Sequence, residues 1–396
     1  MENYSTKDIK KRQMYFDEGT AQSSSGSQDF VFDDNHIIQV RYLVDGTKRL
    51  YFKLGEVSDK EIFFGDQTAS YITLTDTNPC SYWITPLSST TFVFTWYDNG
   101  SIWSRVGSLD TTAMTITSVS SWGAVTELDL GAGYIIKAYG TEYNLVTDIS
   151  STALGQFTVA YIKLRSADNN YWNECCVGTV VGTDITFGSV NSLANGTGEL
   201  RHIHLQCLSS TAFIITYTRS AGGEFNKVYV VAYTNSFDTI TRVDFHEVEV
   251  PGAENAENKS LIKLDSNNFA ISYNAPLVNH IKICSFYSGT LATSADSVTN
   301  VGDNNHICVI KDSYFIWLYH STVDSKIYAE FCTADLYNMT TVQNTLTLTE
   351  LTTDVDDDVS LPGRLFKMNT TGSLNIPYSV IIDNANQEYI IRLLST

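Results

Sequence analysis

Phe157-Thr158-Val159-Ala160-Tyr161 is a short apolar run ending in an aromatic, and versions of it recur along the whole chain. Before it stand Ile38-Gln39-Val40-Arg41-Tyr42 and Phe92-Val93-Phe94-Thr95-Trp96. After it come Phe213-Ile214-Ile215-Thr216-Tyr217, Phe269-Ala270-Ile271-Ser272-Tyr273, Phe315-Ile316-Trp317-Leu318-Tyr319 and Leu374-Asn375-Ile376-Pro377-Tyr378. The closing aromatics are separated by 54, 65, 56, 56, 46 and 59 residues. Self-similarity at a fixed period is the mark of a repeat architecture, and this period is too long for a β-helix.

Each anchor strand keeps the same company. A strand closed by a tight polar turn precedes it, as at Leu87-Ser88-Ser89-Thr90 and Leu208-Ser209-Ser210-Thr211. A third strand follows, such as Lys227-Val228-Tyr229-Val230-Val231 or Lys326-Ile327-Tyr328-Ala329-Glu330, and then a Thr/Ser-rich fourth, such as Asp184-Ile185-Thr186-Phe187-Gly188. β-Branched and aromatic residues fill these runs, Gly, Asn, Asp and Ser punctuate them, and no 3.6-residue periodicity persists. Four strands in about fifty residues describe a propeller blade. The expectation is one all-β, seven-bladed β-propeller of four-stranded blades, at about 27–70, 80–121, 143–193, 200–250, 259–302, 305–350 and 362–396. The seventh unit ends at its third strand, Glu388-Tyr389-Ile390-Ile391-Arg392-Leu393. The segment Arg12–Ala21 matches Lys60–Ala69 of the first unit in Phe, Thr and Ala. Residues 12–21 are therefore predicted to complete the last blade and close the ring, removing two free sheet edges.

Composition bounds the function. Hydrophobic residues at 43% and charged residues at 17% allow a large core. A formal charge of −19 opposes phosphate backbones and anionic membranes, so nucleic acid is a poor partner. No run approaches the about 18 apolar residues of a membrane helix, and the N-terminus has no apolar core of a secretory signal. The seven cysteines, with Cys175 and Cys176 adjacent, lack metal-like spacing and read as buried free thiols of a protein folded in a reducing compartment.

Long loops on a rigid scaffold usually carry binding. The longest spacing reflects an apolar insertion near Trp122 to Tyr143, in which Trp122, Tyr134, Ile135, Ile136 and Tyr139 are read as a partner-docking surface; an extra hairpin packed on its own blade is the plainer reading. Asp354, Asp356, Asp357 and Asp358 distantly resemble a calcium loop, so a Ca²⁺ site is entertained at Asp354, Asp356 and Asp358. The glycine and distal glutamate of such loops are missing, which favours a solvated acidic loop and no cofactor. Tyr97-Asp98-Asn99-Gly100-Ser101-Ile102-Trp103 holds half of a sialidase Asp-box, but Asn-Gly is also the commonest tight hairpin. His202 and His204 have strand spacing for a shared face, without further metal partners. No nucleophile elbow, P-loop or zincin motif is present.

The run Val177-Gly178-Thr179-Val180-Val181-Gly182-Thr183-Asp184-Ile185-Thr186-Phe187-Gly188, following Phe157–Tyr161, is similar to tandem propeller repeats of bacteriophage and other virus-particle proteins and of marine bacterial surface proteins. The resemblance implies a non-catalytic virion structural or interaction protein of a tail, fibre or capsid, contacting other virion proteins or a host-surface glycan or receptor. It also implies a virion location after folding in host cytoplasm. The alternatives are a glycan-binding, lectin-like propeller and a propeller glycoside hydrolase.

Overall fold

The computed structural model describes residues 4–6, 10–13, 25–33, 35–44, 47–57, 62–68, 70–75, 82–98, 101–128, 130, 134–136, 146–147, 155–165, 167, 170–196, 200–209, 211–221, 224–236, 239–249, 257–275, 278–294, 298–301, 303–311, 313–321, 323, 326–344, 365–369, 375–382 and 387–395. Regular structure among them is β-strand, apart from one 3-10 turn at Val119–Ser121. Among the described residues the strands form seven antiparallel sheets, and the pattern is all-β and β-propeller-like.

The first sheet holds Ser25–Val31, His36–Val44, Lys48–Val57 and Ile62–Phe64, and the second Tyr82–Pro86, Thr91–Asp98, Ser101–Asp110 and Thr115–Ile116. The third opens on two short pieces, Tyr134–Ile136 and Val146–Thr147, followed by Gln156–Arg165, Asn170–Val181 and Asp184–Phe187. The fourth is Leu200–Ser209, Ala212–Ala221, Glu224–Ser236 and Thr239–Glu249, and the fifth Glu257–Lys263, Asn268–Ala275, Val278–Tyr287 and Thr290–Thr293. Asp303–Lys311, Tyr314–Ser321, Lys326–Asp335 and Thr340–Asn344 make the sixth; Leu365–Asn369, Asn375–Ile382 and Gln387–Ser395 belong to the seventh.

The outer strand is broken in several sheets. In the first, Ile62–Phe64 pairs with the end of the third strand and Ile72–Leu74 with its beginning; Thr126–Leu128, Asn191–Gly196 and Val298–Val301 are the corresponding second pieces of the second, third and fifth. The N-terminus repeats this arrangement on the seventh sheet. Tyr4–Thr6 pairs with residues 393–395 and Lys10–Gln13 with residues 387–390. The N-terminal strand was thus foreseen, but at a different register. Residues 4–6 stand where the match of Arg12–Ala21 to Lys60–Ala69 would put 14–16, and 14–21 lie outside the described residues.

Local chemistry explains the sheets. First-to-second strand turns close on side chains: Asp33 accepts the Asn35 and His36 amides at 2.8 Å each, Asp265 those of Asn267 and Asn268 at 2.7 Å each, and Ser88 that of Thr91 at 3.1 Å. The anchors Trp96, Tyr161, Tyr217, Tyr273 and Tyr319 are buried. Opposite the second residue of the second strand stands a small one, Gly55 facing Ile37, Gly107 facing Phe92, Gly178 facing Phe157, Cys284 facing Phe269 and Cys332 facing Phe315. A bulky residue there would collide with the ring. In the fourth, fifth and sixth sheets the first strand bulges opposite the anchor, between Arg201 and His204, Asn258 and Ser260, and Asp303 and Asn305.

The chain divides into two compact units, one of Met1–Gly19, Glu224–Val231 and Asp244–Thr396 and the other of Thr20–Gly223 and Ala232–Val243. In the second unit an aromatic core gathers Phe52, Phe92, Phe94, Trp96 and Trp122, and an adjoining cluster holds Tyr97, Leu128, Phe157 and Tyr161. In the first unit Ile281, Ile307, Phe315, Trp317 and Tyr319 pack together. No helix among the described residues is long and apolar enough to cross a membrane.

Candidate functional site

The third sheet carries charge inside its core. Register across the hairpin sets Tyr161 opposite Glu174 and Lys163 opposite Trp172, so four side chains project from one face. The Tyr161 hydroxyl donates to Glu174 Oε2 at 2.9 Å, and Lys163 Nζ lies 2.9 Å from the same oxygen. Lys163 also donates to the Leu130 carbonyl at 3.2 Å. Glu174 is 5% exposed, Lys163 8% and Tyr161 0%, so the carboxylate is held almost dry between a cation and a phenol. Burial first, then the charge of Glu174, pushes the Tyr161 hydroxyl far up, which keeps it a proton donor toward that carboxylate. Trp172, half-buried, stands beside the pair nearer the hairpin loop.

The neighbouring thiols are not nucleophiles. Burial, followed by the proximity of Cys176 and Glu174, pushes Cys175 up, and burial and then Glu174 push Cys176 up, leaving both as thiols. Cys175, Cys176, Cys207, Cys284 and Cys332 are free. In the sixth sheet Tyr319 donates to Glu330 at 2.8 Å, a second buried carboxylate met by an anchor tyrosine.

The residues singled out from the sequence fall elsewhere. Trp122, expected in a docking surface, is 6% exposed and lies in the aromatic core, its ring 4.9 Å from Phe52 and 5.2 Å from Phe92, its indole N–H donating to the Thr117 carbonyl at 2.8 Å. An indole gains more from such packing than from a wet surface. Tyr134, Ile135 and Ile136 form an opening strand of the third sheet, paired with Arg165, Leu164 and Lys163. Their side chains, and Tyr139, lie outside the described residues, as do Asp354, Asp356, Asp357 and Asp358. Among the described residues no group of three or more His, Cys, Asp or Glu could hold a metal. His202 and His204 flank the bulge and His202 Nδ1 lies 3.0 Å from Thr218 Oγ1. Asp98 does not face a ligand: its carboxylate accepts the Thr75 amide at 2.9 Å and hydroxyl at 3.0 Å, and its carbonyl accepts the Trp103 indole. Glu174 and Lys163 were passed over in the sequence reading. Their signal was a charge in the interior of each of two largely apolar strands.

No protein-family model and no curated protein matches the chain. Among solved structures it is similar to an oligogalacturonate lyase in complex with manganese, at 10% identity and TM-score 0.48 over 100% of this chain and 98% of that one. It is similar to a prolyl endopeptidase at 11% and 0.46, over 94% of this chain and 47% of the other, so it spans about half of that protein's length. A third is the GH93 α-L-arabinofuranosidase of Fusarium graminearum with arabinobiose, at 12% and 0.43, over 79% and 92%. These likenesses concern the fold alone. All three are enzymes, and this corrects the expectation of a non-catalytic virion protein: neither that role nor the exclusion of catalysis is retained.

Proposed function

We propose that the seven sheets are the blades of one closed propeller, completed by the N-terminal strand pieces, and that the molecule is an acid–base enzyme acting on carbohydrate through Glu174. The observation that supports this reading is a buried ion pair that the fold does not require. The residue opposite the anchor in the second sheet is Trp103, so an apolar side chain serves there. Replacing a buried ion pair by apolar groups is often neutral or stabilising, so stability alone gives little reason to keep Glu174 and Lys163. In the proposed reaction Glu174 exchanges a proton with the substrate, Lys163 positions the carboxylate, and Trp172 offers a flat apolar face to a sugar ring.

The test screens neutral and uronate-containing polysaccharides for product release by the wild type, Glu174→Gln, and the double variant Lys163→Met with Glu174→Leu. The expected result is that both variants fold, the double one with unchanged or raised stability, while turnover falls by about 10²-fold or more, the scale of a lost acid–base group. Undiminished turnover in a folded Glu174→Gln protein, or unfolding of the double variant, makes the network structural.

A further inference from the structure

We propose that Asn274, Asn279 and Asn305 together hold one internal water molecule between the fifth and sixth sheets. Asn274 and Asn279 are directly opposed across the second and third strands of the fifth sheet, which puts their side chains side by side on one face. Asn305, on the first strand of the sixth sheet, donates from Nδ2 to Asn279 Oδ1 at 2.7 Å. Asn279 and Asn305 are 0% exposed and Asn274 9%. After that one bond, Asn274 Oδ1, Asn279 Nδ2 and Asn305 Oδ1 have no protein partner. Buried polar atoms in native proteins are almost always satisfied, by ordered water where protein cannot reach.

The remaining valences specify the occupant. Two are acceptors and one is a donor, and a water molecule can donate to Asn274 and Asn305 while accepting from Asn279. Exchanging the amide O and N of Asn279 and Asn305 together preserves their mutual bond and still leaves two acceptors and one donor. Exchanging the ends of Asn274 as well gives one acceptor and two donors, which a single water also satisfies by accepting twice and donating once. In the orientation described, a cation would meet the Asn279 N–H and an anion would meet two carbonyls. The position is not unique to this blade. Asn173 sits at the same register in the third sheet, opposite the residue after the anchor, 0% exposed and with both amide atoms lacking a protein partner.

The test is a crystal structure of the full chain grown with rubidium chloride, together with water-to-amide cross-relaxation in solution. The expected result is a single density peak about 2.7–3.2 Å from the three amides, without a rubidium anomalous signal, and persistent cross-relaxation between water and the Asn279 side-chain NH₂. Direct bonding of Asn274 to Asn279 with no peak, an anomalous peak at the site, or density for a larger molecule would each overturn the proposal.

Discussion

Gly178→Ala tests the packing rule that spaces the second and third strands. A Cβ built on Gly178 lies 2.3, 2.5 and 2.9 Å from Cζ, Cε1 and Cε2 of Phe157, whereas ordinary contact begins at 3.4 Å. The ring must retreat by 3.4 − 2.3 = 1.1 Å. It has nowhere open to go: Phe157 is fully buried among Val159, Val180 and Ile185 and meets Phe187 edge-on at 5.9 Å. Overpacking of this degree costs about 2–3 kcal/mol. Urea unfolding followed by tryptophan fluorescence measures it. Gly182→Ala is the control, because Gly182 has φ +65° and nothing within 4 Å, leaving only the backbone penalty of about 1 kcal/mol. Adding Phe157→Leu to Gly178→Ala should recover part of the loss, giving a coupling energy of about 1 kcal/mol. A Gly178→Ala protein within about 0.5 kcal/mol of wild type, or no worse than the Gly182 control, would refute the ring-on-glycine account.

Trp122→Ala should cost about 3–5 kcal/mol as a buried aromatic truncation, read by the same unfolding assay; a stable variant would return Trp122 to the surface. Deleting residues 1–13 removes the two pieces paired to Gln387–Ser395 and bares that edge, so melting temperature should fall and concentration-dependent association rise in sedimentation; an unchanged, monomeric protein would contradict the pairing. Burial, and then Lys282, lower the pKa of His280 from 6.5, where it stacks on Tyr273 at 4.9 Å. Its folded pKa lies below its unfolded one, so it costs nothing above about pH 6.5 and reduces stability as pH falls below that. His280→Phe should flatten this acid-side slope, and an unaltered slope would discount the group.

Strand content and period were legible because every anchor repeats one apolar alternation that only β-structure satisfies. The 65-residue spacing was legible as extra chain but not in its place: it splits the first strand of the third sheet into Tyr134–Ile136 and Val146–Thr147, with residues 137–145 between the pieces and 160–162 between their partners on the second strand. Trp122 and Leu128 of that segment are both buried. The N-terminal strand was legible in kind but not in register, because matching Phe, Thr and Ala records composition while pairing is decided by the ladder along Gln387–Ser395. The buried network stayed hidden for a related reason. Lys163 and Glu174 become neighbours only once the Arg165–Asn170 closure fixes which residues face each other.

Two register positions show what the fold demands and what it leaves open. Opposite the second residue of the second strand, the third strand offers Gly55, Gly107, Gly178, Cys284 and Cys332, a constraint of volume imposed by the facing side chain. Cys284 and Cys332 satisfy it as small hydrophobes, and burial, the largest influence on each, pushes both thiols up. Shape alone accounts for cysteine there, so these residues carry no redox message about a compartment. Opposite the anchor itself stand Trp103, Glu174, His280 and Tyr328, spanning apolar, acidic and aromatic. A position that accepts all of these is not dictated by the sheet. What occupies it in any one sheet is open to selection for chemistry, and the buried, doubly bonded carboxylate of Glu174 is the instance with a proton donor and a cation already in place.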